Sequence, residues 1–262
     1  MNSRPKSSVQ IDNSGRVVVV SGGAKGIGRA ICEGFHQSGA TVVALDVDEE
    51  SAQQLSAGIE FKRCDVSSED DCRAAIEAVI ESHRGLDVLV NNASIQPPSS
   101  YRPIHEIPGD LWQKMLAINL TGYFNLAKPA LAQMREQQSG VIVNIASAQG
   151  HRTAREVGVY GPIKSANLMQ ARQWGVEYAR DGIRVVSVSP GCIDTPMVRA
   201  TLEAQGGEAA IANRHPLGRI GQSAEVANAV LWLSSDGASF VTATDLEVDG
   251  GLGGFGAFAD PY

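Results

Sequence analysis

The first strand-like run of this chain, and the glycine-rich turn that follows it, constrain the fold most strongly. Residues 16–20 are a short run rich in valine, residues 21–28 form the turn, and apolar residues then recur at helical spacing up to Phe35. An unbroken β-branched run is typical of a parallel strand that is buried on both faces. Strand, glycine turn and helix in this order predict a cradle for a pyrophosphate at the helix N-terminus. A glycine turn without any ligand is the alternative.

A second predicted strand, residues 41–45, ends in Asp46. A carboxylate at this point accepts hydrogen bonds from the ribose hydroxyls of an adenosine and repels a 2′-phosphate, which favours NAD over NADP. Lys25 argues the other way, because a cation inside the glycine turn can meet a 2′-phosphate. We give Asp46 more weight, since the long side chain of Lys25 can swing into solvent.

Strand and helix patterns alternate along the rest of the chain. Further strands are predicted at residues 59–63, 86–90, 141–146, 183–189 and 245–248. Helices are predicted at residues 51–57, 67–82, 110–135 (one long or two joined helices), 160–180 and 223–233. This alternation indicates an α/β fold in which right-handed crossovers place helices on both faces of one parallel sheet. A length of 262 residues fits a single domain.

Composition narrows the possible partners and the compartment. The chain has 29 acidic and 22 basic residues, a net charge of −7, so a nucleic-acid-binding surface and a basic membrane face are not expected. The four cysteines lack metal-ligand spacing, and we expect buried free thiols and no metal site. Residues 1–14 are expected to be a flexible tail without the apolar core of a signal peptide, and no apolar run spans a bilayer. We therefore expect a soluble, cytoplasmic protein.

Several polar residues follow predicted strands and should meet at the carboxyl edge of the sheet, where ligands of such folds bind. Asp65 and Val66 come after the third strand, within reach of an adenine ring, although a helix-capping role for Asp65 explains it equally well. Asn91 and Asn92 follow the fourth strand and are suited to bridging loops. Asn119 lies inside a predicted helix, where its side chain competes with the backbone, so it invites a functional explanation.

Tyr160 and Lys164 are four residues apart, which places them on one face of a helix. A cation beside a phenol oxygen stabilises the phenolate and lowers the pKa of the tyrosine, so that it can take a proton from an alcohol. A solvated or packing pair is the alternative when this spacing is considered by itself.

Taken together, these motifs resemble the classical short-chain dehydrogenase/reductase family. The resemblance covers roughly residues 15–251 and is carried by Ser21-Gly-x-x-x-Gly26-x-Gly28, Asn91-Asn-Ala, Asn119, Ser147, Tyr160-x-x-x-Lys164 and Pro190-Gly191. It implies a single-domain, Rossmann-type, doubly wound parallel sheet of about seven strands. It also implies an NAD(H) cofactor, a small alcohol or ketone substrate and a homotetramer.

The resemblance assigns roles to the matching residues. Tyr160 would be the general acid/base, and Lys164 would lower its pKa and hold the nicotinamide ribose. Ser147 would orient the substrate oxygen, and Asn119 would hold a water that passes the proton on. The residues expected to bind the cofactor are Ser21, Gly22, Lys25, Gly26, Ile27, Gly28, Asp46, Asp65, Val66, Asn92, Ala93, Tyr160, Lys164, Pro190, Gly191, Ile193 and Thr195.

The chain departs from the family pattern in a few places. Ser21 replaces the usual Thr and keeps the hydroxyl. Ser94 stands where the family has Gly, which puts a side chain near the cofactor. Pro162 and Ile163 occupy positions that are usually small, and a proline is compatible with a helix only in its first turn. We therefore predict that residues 158–162 are distorted or mark the start of the helix.

The segment after Ser147 is expected to form part of the substrate wall. Its candidate substrate-binding residues are Ser147, Gln149, His151, Arg152 and Arg155. One of the two arginines would bind a carboxylate, sulfonate or phosphate on the substrate. Alternatively, these side chains face solvent or a subunit interface and pair with Glu156. Residues 195–220, with two adjacent glycines, are expected to form a mobile lid.

These expectations converge on an NAD-dependent oxidoreductase that transfers a hydride between nicotinamide and a secondary alcohol such as a sugar, polyol or hydroxy acid. Within the enzyme class, the rival is an NADP-dependent reductase of ketoacyl-carrier substrates, which Lys25 favours and Asp46 disfavours. A non-catalytic, NAD-sensing relative is the rival from another class. Residues 252–262 are expected to form a C-terminal tail that is disordered or packs on a neighbouring subunit.

Overall fold

The computed structural model describes residues 10–254 of the chain. Its strands, in chain order, are β1 Val17–Ser21, β2 Thr41–Asp46, β3 Glu60–Arg63, β4 Val88–Asn91, β5 Gly140–Ile145, β6 Ile183–Pro190, β7 Ile193–Asp194, β8 Gly221–Gln222 and β9 Asp245–Val248. Its α-helices are α1 Gly26–Gln37, α2 Glu49–Ala52, α3 Glu69–His83, α4 Gly109–Leu116, α5 Gly122–Gln137, α6 Tyr160–Glu177, α7 Pro196–Arg199, α8 Gly207–Ala212 and α9 Ser223–Ser234.

Seven strands form one parallel sheet in the order β3-β2-β1-β4-β5-β6-β9. The chain starts in the middle, moves outward to β3 and then returns to build the other half from β4. A crevice therefore opens outside the carboxyl ends of β1 and β4, where the strand order reverses. The predicted Rossmann-type sheet of about seven strands is confirmed. The short strands β7 and β8 form a separate parallel pair.

Helices cover both faces of the sheet, and each face has its own apolar core. On one face, α1 and α9 pack together over the valines of β1, β4 and β5. On the other face, α3, α5 and α6 pack over the alternate side chains of the same strands. Because both faces are buried, strands β1, β4 and β5 consist mainly of apolar residues without alternation.

Most predicted strand bounds agree with the structure to within two residues, whereas the helices differ more. The predicted helix at 51–57 is α2, which starts at Glu49 because the carboxylate of Asp48 caps it by accepting a hydrogen bond from the Ser51 amide at 2.8 Å. The predicted segment 110–135 is two helices, α4 and α5, joined by a π-helical turn at Ala117–Thr121. Ser68 is the N-cap of α3, where its hydroxyl accepts a hydrogen bond from the Asp71 amide.

The prediction for the proline in the Tyr160 segment is confirmed. Helix α6 begins at Tyr160, so Pro162 is its third residue and lies in the first turn. A proline in this position lacks an N–H that has no intrahelical partner in any case. The neighbouring amides of Gly161 and Ile163 are already bonded to the carbonyls of Val157 and Val159.

The expected tail boundary at residue 15 needs correction. Asn13 is fully buried and bonds to Ser38 through both its backbone and its side chain, so packing of the chain begins ahead of that boundary. At the other end, Leu252–Gly254 form a turn bonded to Asp249. The remainder of both predicted tails, residues 1–9 and 255–262, lies outside the described part of the chain.

All four cysteines are free thiols, as expected, and three of them are buried. Among the helices of residues 10–254, none combines the length and the apolar character that crossing a bilayer requires.

Candidate active site

A cavity of ≈ 870 Å³ lies outside the carboxyl ends of the central strands. This volume falls in the usual range for small-molecule and cofactor sites. Most of the residues predicted to bind the cofactor line it: Gly22, Lys25, Gly26, Ile27, Asp46, Asp65, Val66, Asn92, Ala93, Tyr160, Lys164, Pro190, Gly191, Ile193 and Thr195. Ser21, Gly28 and Asn119 do not line it.

The glycine turn has the backbone shape that a bound phosphate needs. Gly22 and Gly26 have φ angles of 62° and 52°, which favour glycine. A side chain on Gly28 would overlap the carbonyl oxygen of Gly22, so this glycine allows α1 to pack closely against the turn. No side chain caps the N-terminus of α1, which leaves its amides available to an anion. The residues present therefore fit the pyrophosphate of a dinucleotide.

Ser21 and Asn92 hold the two central loops together. The Ser21 hydroxyl accepts hydrogen bonds from the amides of Asn92 and Ala93 at 3.0 and 3.1 Å. The Asn92 side chain donates to the carbonyls of Ser21 and Gly22. Ser21 thus acts behind the cavity wall, and the bridging role predicted for the asparagine amides is observed.

Asp46 lies at the end of β2 and is partly committed to the backbone around it. Its carboxylate accepts hydrogen bonds from the amides of Ala24, Val47 and Asp48 at 2.8–3.1 Å. Lys25 forms an ion pair with Asp48, and this contact raises the pKa of the lysine. The side chain of Lys25 is half exposed, and this carboxylate pairs with it at the rim of the cavity.

Asp65 lies at the turn between β3 and α3 and beside the cavity. Its carboxylate accepts hydrogen bonds from the backbone amide and the hydroxyl of Ser67, which shapes the turn ahead of α3. It also lines the cavity beside Val66. Thr195 lines the opposite side and caps α7 by accepting a hydrogen bond from the Val198 amide.

Three hydroxyl groups meet at the inner end of the cavity, those of Tyr160, Ser147 and Ser94. Burial raises the pKa of Tyr160 above its ordinary value. The neighbouring hydroxyl of Ser94 opposes this rise, and that of Ser147 does so more weakly. The Ser94 hydroxyl is buried without a well-formed hydrogen bond of its own within the described residues. The protein groups alone therefore do not lower the pKa of Tyr160, contrary to the expectation from the sequence.

Lys164 is 1% exposed and lies between two aromatic rings. Its ammonium is 5.3 Å from the ring centroid of Tyr123 and 5.4 Å from that of Tyr160. It donates hydrogen bonds to the Ile145 carbonyl at 2.8 Å and to the Tyr123 hydroxyl at 3.3 Å. Burial lowers the pKa of Lys164 to about 7.

Asn119 lies in the π-helical turn. Its side-chain amide bonds to both the N–H and the carbonyl of Ile95, at 2.8 Å each. The backbone carbonyl of Asn119 accepts a hydrogen bond from Asn167 at 3.1 Å. Asn119 therefore anchors the loop that carries Ser94 and Ile95, and its predicted role in holding a water stays a prediction.

The segment after Ser147 contributes only part of its predicted substrate residues. Ser147 and Gln149 line the cavity, whereas His151, Arg152 and Arg155 lie outside it and are exposed. His151 contacts Asp245 at 2.8 Å, and Arg152 lies 3.8 Å from Glu247. The exposed placement of the two arginines favours the alternative that they face solvent, although Arg152 lies near Glu247 on β9 and not near Glu156.

Residues 195–220 form the other wall of the cavity. They contain α7 and α8, and Leu202, Ile211 and Ile220 form a small apolar core that is separate from the two cores on the sheet. Met197, Val198 and Leu202 line the cavity together with Tyr101 from the loop after β4. Gln205, Arg214 and His215 of the same segment also line it, so this end of the cavity combines apolar walls with a few polar groups.

Sequence reasoning missed Tyr123 and the neighbourhood of Ser94. Tyr123 lies four residues after Asn119, so helical spacing placed both on the same side of the helix predicted at residues 110–135. Ser94 was noticed as a departure from a pattern, and its contact with Tyr160 was not expected.

Comparisons with known proteins match this chain over most of its length. A family model described as "Enoyl-(Acyl carrier protein) reductase" matches residues 22–253. A 2,5-dichloro-2,5-cyclohexadiene-1,4-diol dehydrogenase of Sphingobium indicum is 36% identical over 92% of this chain and 98% of its own. A cis-4-hydroxycyclohexanecarboxylate dehydrogenase of Sinomonas cyclohexanicum is 39% identical over 90% and 96%. The ligand-free aldohexose dehydrogenase of Thermoplasma acidophilum has a TM-score of 0.87 and 33% identity, covering 94% and 97%.

Proposed function

Because the chain belongs to the short-chain dehydrogenase/reductase family, and because some of its relatives are named as dehydrogenases of alcohols, we propose that it is an NAD-dependent dehydrogenase of secondary alcohols carried on a ring. The relatives themselves support the broader assignment of an oxidoreductase that acts on CH–OH donors. One observation carries the proposal. The hydroxyls of Tyr160 and Ser147 and the buried Lys164 converge at one end of a cavity whose other end holds Asp46.

The protein groups divide the chemistry among themselves. A bound oxidised nicotinamide supplies the hydride acceptor. Ser147 donates a hydrogen bond to the substrate oxygen and fixes its position. Tyr160 takes the hydroxyl proton as a general base. Its phenolate is stabilised by the charged Lys164 beneath its ring and by the adjacent serine hydroxyls, which oppose part of the effect of burial.

The charges around the adenosine end of the cavity support NAD as the cofactor. Asp46 presents a carboxylate where a 2′-phosphate would lie. Lys25 is paired with Asp48, and Arg63, which also lines the cavity, lies 3.5 Å from Glu49. Each cation near this end therefore has a carboxylate partner, which leaves little positive charge for a phosphate.

The shape and polarity of the opposite end support a ring-bearing substrate. Its walls are formed by Tyr101, Met197, Val198 and Leu202, and its polar groups come from Gln149, Gln205, Arg214 and His215. Apolar walls with few polar groups bind a hydrocarbon ring and leave the hydroxyl to the catalytic groups. The names of two relatives specify alcohols on six-membered rings, which agrees with this choice.

Two alternative functions are each favoured by one observation. The matching family model is named for carrier-protein substrates, and Lys25 lines the cavity, as an NADP-dependent carrier-substrate reductase would require. An NAD-sensing protein without turnover would also need the cofactor half of the cavity. The converging Ser147, Tyr160 and Lys164 disfavour a pure sensor, because binding alone needs no acid/base group.

The decisive experiment is NAD reduction by the purified protein with cyclohexanol, cis-4-hydroxycyclohexanecarboxylate and an aldohexose, followed at the absorbance of NADH. Tyr160→Phe is the matched control. We expect turnover of a ring alcohol and a loss of at least about 100-fold in the variant, with NADH binding retained. Unimpaired turnover in the variant rejects the mechanism. NADH binding without turnover of any alcohol favours the sensor, and activity with NADPH and a ketoacyl thioester alone favours the reductase.

We also propose that the protein assembles as a homotetramer. Phe124 on α5 and Met169 and Val176 on α6 are 45–72% exposed, although these helices are neighbours on one face of the sheet. Trp232 and Phe240, near α9, expose a second apolar area. Two such areas provide the two interfaces that a tetramer with dihedral symmetry needs.

A further inference from the structure

Lys164 is a buried cation. Among residues 10–254, no acidic group lies within ion-pairing distance of its ammonium. Burial lowers the pKa of Lys164 to about 7. The titratable groups that face its ammonium are the phenols of Tyr123 on α5 and Tyr160 on α6. A charged ammonium in such a place depends on hydrogen bonds and on the faces of aromatic rings.

Tyr123 supplies both kinds of contact. It is 1% exposed, its ring faces the ammonium at 5.3 Å, and its hydroxyl accepts a hydrogen bond from Lys164 at 3.3 Å. The same hydroxyl donates to the Ile145 carbonyl at 2.8 Å, and Lys164 donates to that carbonyl as well. Three groups thus form a closed triangle in which the hydroxyl of Tyr123 has its proton and a lone pair in use.

Among residues 10–254, the hydroxyl of Tyr123 forms hydrogen bonds only within this triangle. The Ile145 carbonyl that accepts from it has no proton to give in return. Burial keeps the pKa of Tyr123 well above its ordinary value, so its hydroxyl stays protonated wherever the enzyme works. Tyr123 therefore holds Lys164 in place and does not exchange its own proton.

We propose that Tyr123 is a positioning residue of the active site, whose hydroxyl fixes the Lys164 ammonium beneath Tyr160 and keeps it charged without a carboxylate. The proposal rests on the proposed dehydrogenase function, since it gives Tyr123 a part in the same reaction. Tyr123→Phe removes one hydrogen-bond acceptor and leaves the ring, so it isolates the contribution of the hydroxyl. Tyr178→Phe, a half-buried tyrosine that does not line the cavity, is the matched control.

The first measurement does not depend on turnover. Lysine side-chain NMR of the full-length protein gives the titration midpoint of Lys164, with its resonance identified by its absence in Lys164→Met. Loss of an acceptor from a charged donor weakens the charged form, so we expect the midpoint to fall by about one pH unit in Tyr123→Phe. It should stay unchanged in Tyr178→Phe. An unchanged midpoint in Tyr123→Phe overturns the proposal.

The second measurement is the pH profile of kcat/KM for alcohol oxidation. Because the lysine of the variant loses its charge at lower pH, we expect an approximately tenfold loss above about pH 8 and equal rates below about pH 5, where the lysine is charged in both proteins. A loss of equal size at every pH identifies a packing defect and overturns the proposal. If no alcohol is oxidised by the unmodified protein but the NMR midpoint shifts as expected, the proposed function fails while the contact between Tyr123 and Lys164 stands.

Discussion

Lys25 pairs with Asp48 at the rim of the cavity, two residues beyond the carboxylate of Asp46. The cation that the sequence offered to a 2′-phosphate is therefore already neutralised, and the negative charge of Asp46 is not. This arrangement determines the first prediction.

Asp46→Asn should shift the cofactor preference towards NADP. The change removes the charge that opposes a 2′-phosphate and keeps one oxygen as an acceptor for the backbone amides. We expect the ratio of kcat/KM for NADP to that for NAD to rise at least about tenfold, equivalent to about 1.4 kcal/mol. Asp48→Asn is the matched control, since it frees Lys25 and should raise the ratio less. An unchanged ratio in Asp46→Asn would show that Asp46 does not select the cofactor.

Lys164 should make the stability of the protein depend on pH in an unusual direction. Its folded pKa of about 7 lies below the ordinary value of 10.5, so between these values the unfolded chain binds more protons and stability rises with pH. Below pH 7 the lysine is charged in both states and the penalty is constant. Lys164→Met removes this contribution. We expect the free energy of unfolding of the variant, relative to the unmodified protein, to fall by a few kcal/mol between about pH 7 and 10. Urea unfolding at several pH values measures this difference, and a constant difference would contradict the lowered pKa.

Ser94→Gly should slow alcohol oxidation without changing the part of the pH profile of kcat/KM that reflects the titration of Lys164. The Ser94 hydroxyl lowers the pKa of Tyr160, and hydrogen bonds to charged groups contribute about 1.5–3 kcal/mol. We expect kcat/KM to fall about tenfold at each pH from about 6 to 9, with cofactor binding retained. Ser94→Ala should behave alike, because it also lacks the hydroxyl. Rates equal to those of the unmodified protein would mean that the hydroxyl does not touch the reacting tyrosine.

Arg152→Ala and Arg155→Ala should leave catalysis nearly unchanged. Both side chains are exposed outside the cavity, and an exposed pair such as Arg152 with Glu247 contributes at most about 1 kcal/mol to stability. We expect kcat/KM for cis-4-hydroxycyclohexanecarboxylate and for cyclohexanol to stay within about twofold. A loss confined to the carboxylate substrate would restore the anion-binding hypothesis derived from the sequence.

Met169→Arg should reduce the size of the assembly. A charge in the middle of the exposed apolar area on α5 and α6 is costly to bury in an interface. Light scattering coupled to size-exclusion chromatography should show dimers in place of tetramers. Leu217→Arg is the control, because Leu217 is exposed and lies on neither helix. Tetramers in Met169→Arg would place the interface elsewhere.

What could be predicted from the sequence depended on contacts within a few residues. The glycine turn, Asp46 at the end of β2, and the four-residue spacing of Tyr160 and Lys164 are local, so their positions were correct. Tyr123 reaches Lys164 across 41 residues, and Arg152 meets Glu247 on the last strand. Asn119 bonds to Ile95 across 24 residues. Partners at these separations are chosen by the packing of the sheet and its helices, which no spacing rule describes.

The small core of Leu202, Ile211 and Ile220 has a consequence for how this scaffold can change. Residues 195–220 bury their own apolar side chains, largely apart from the cores that stabilise the sheet. We expect that the residues between Thr195 and Ile220 can be replaced as a unit by those of a relative, while the glycine turn and the reacting groups are kept. Such chimeras should bind different substrates without a change of the fold.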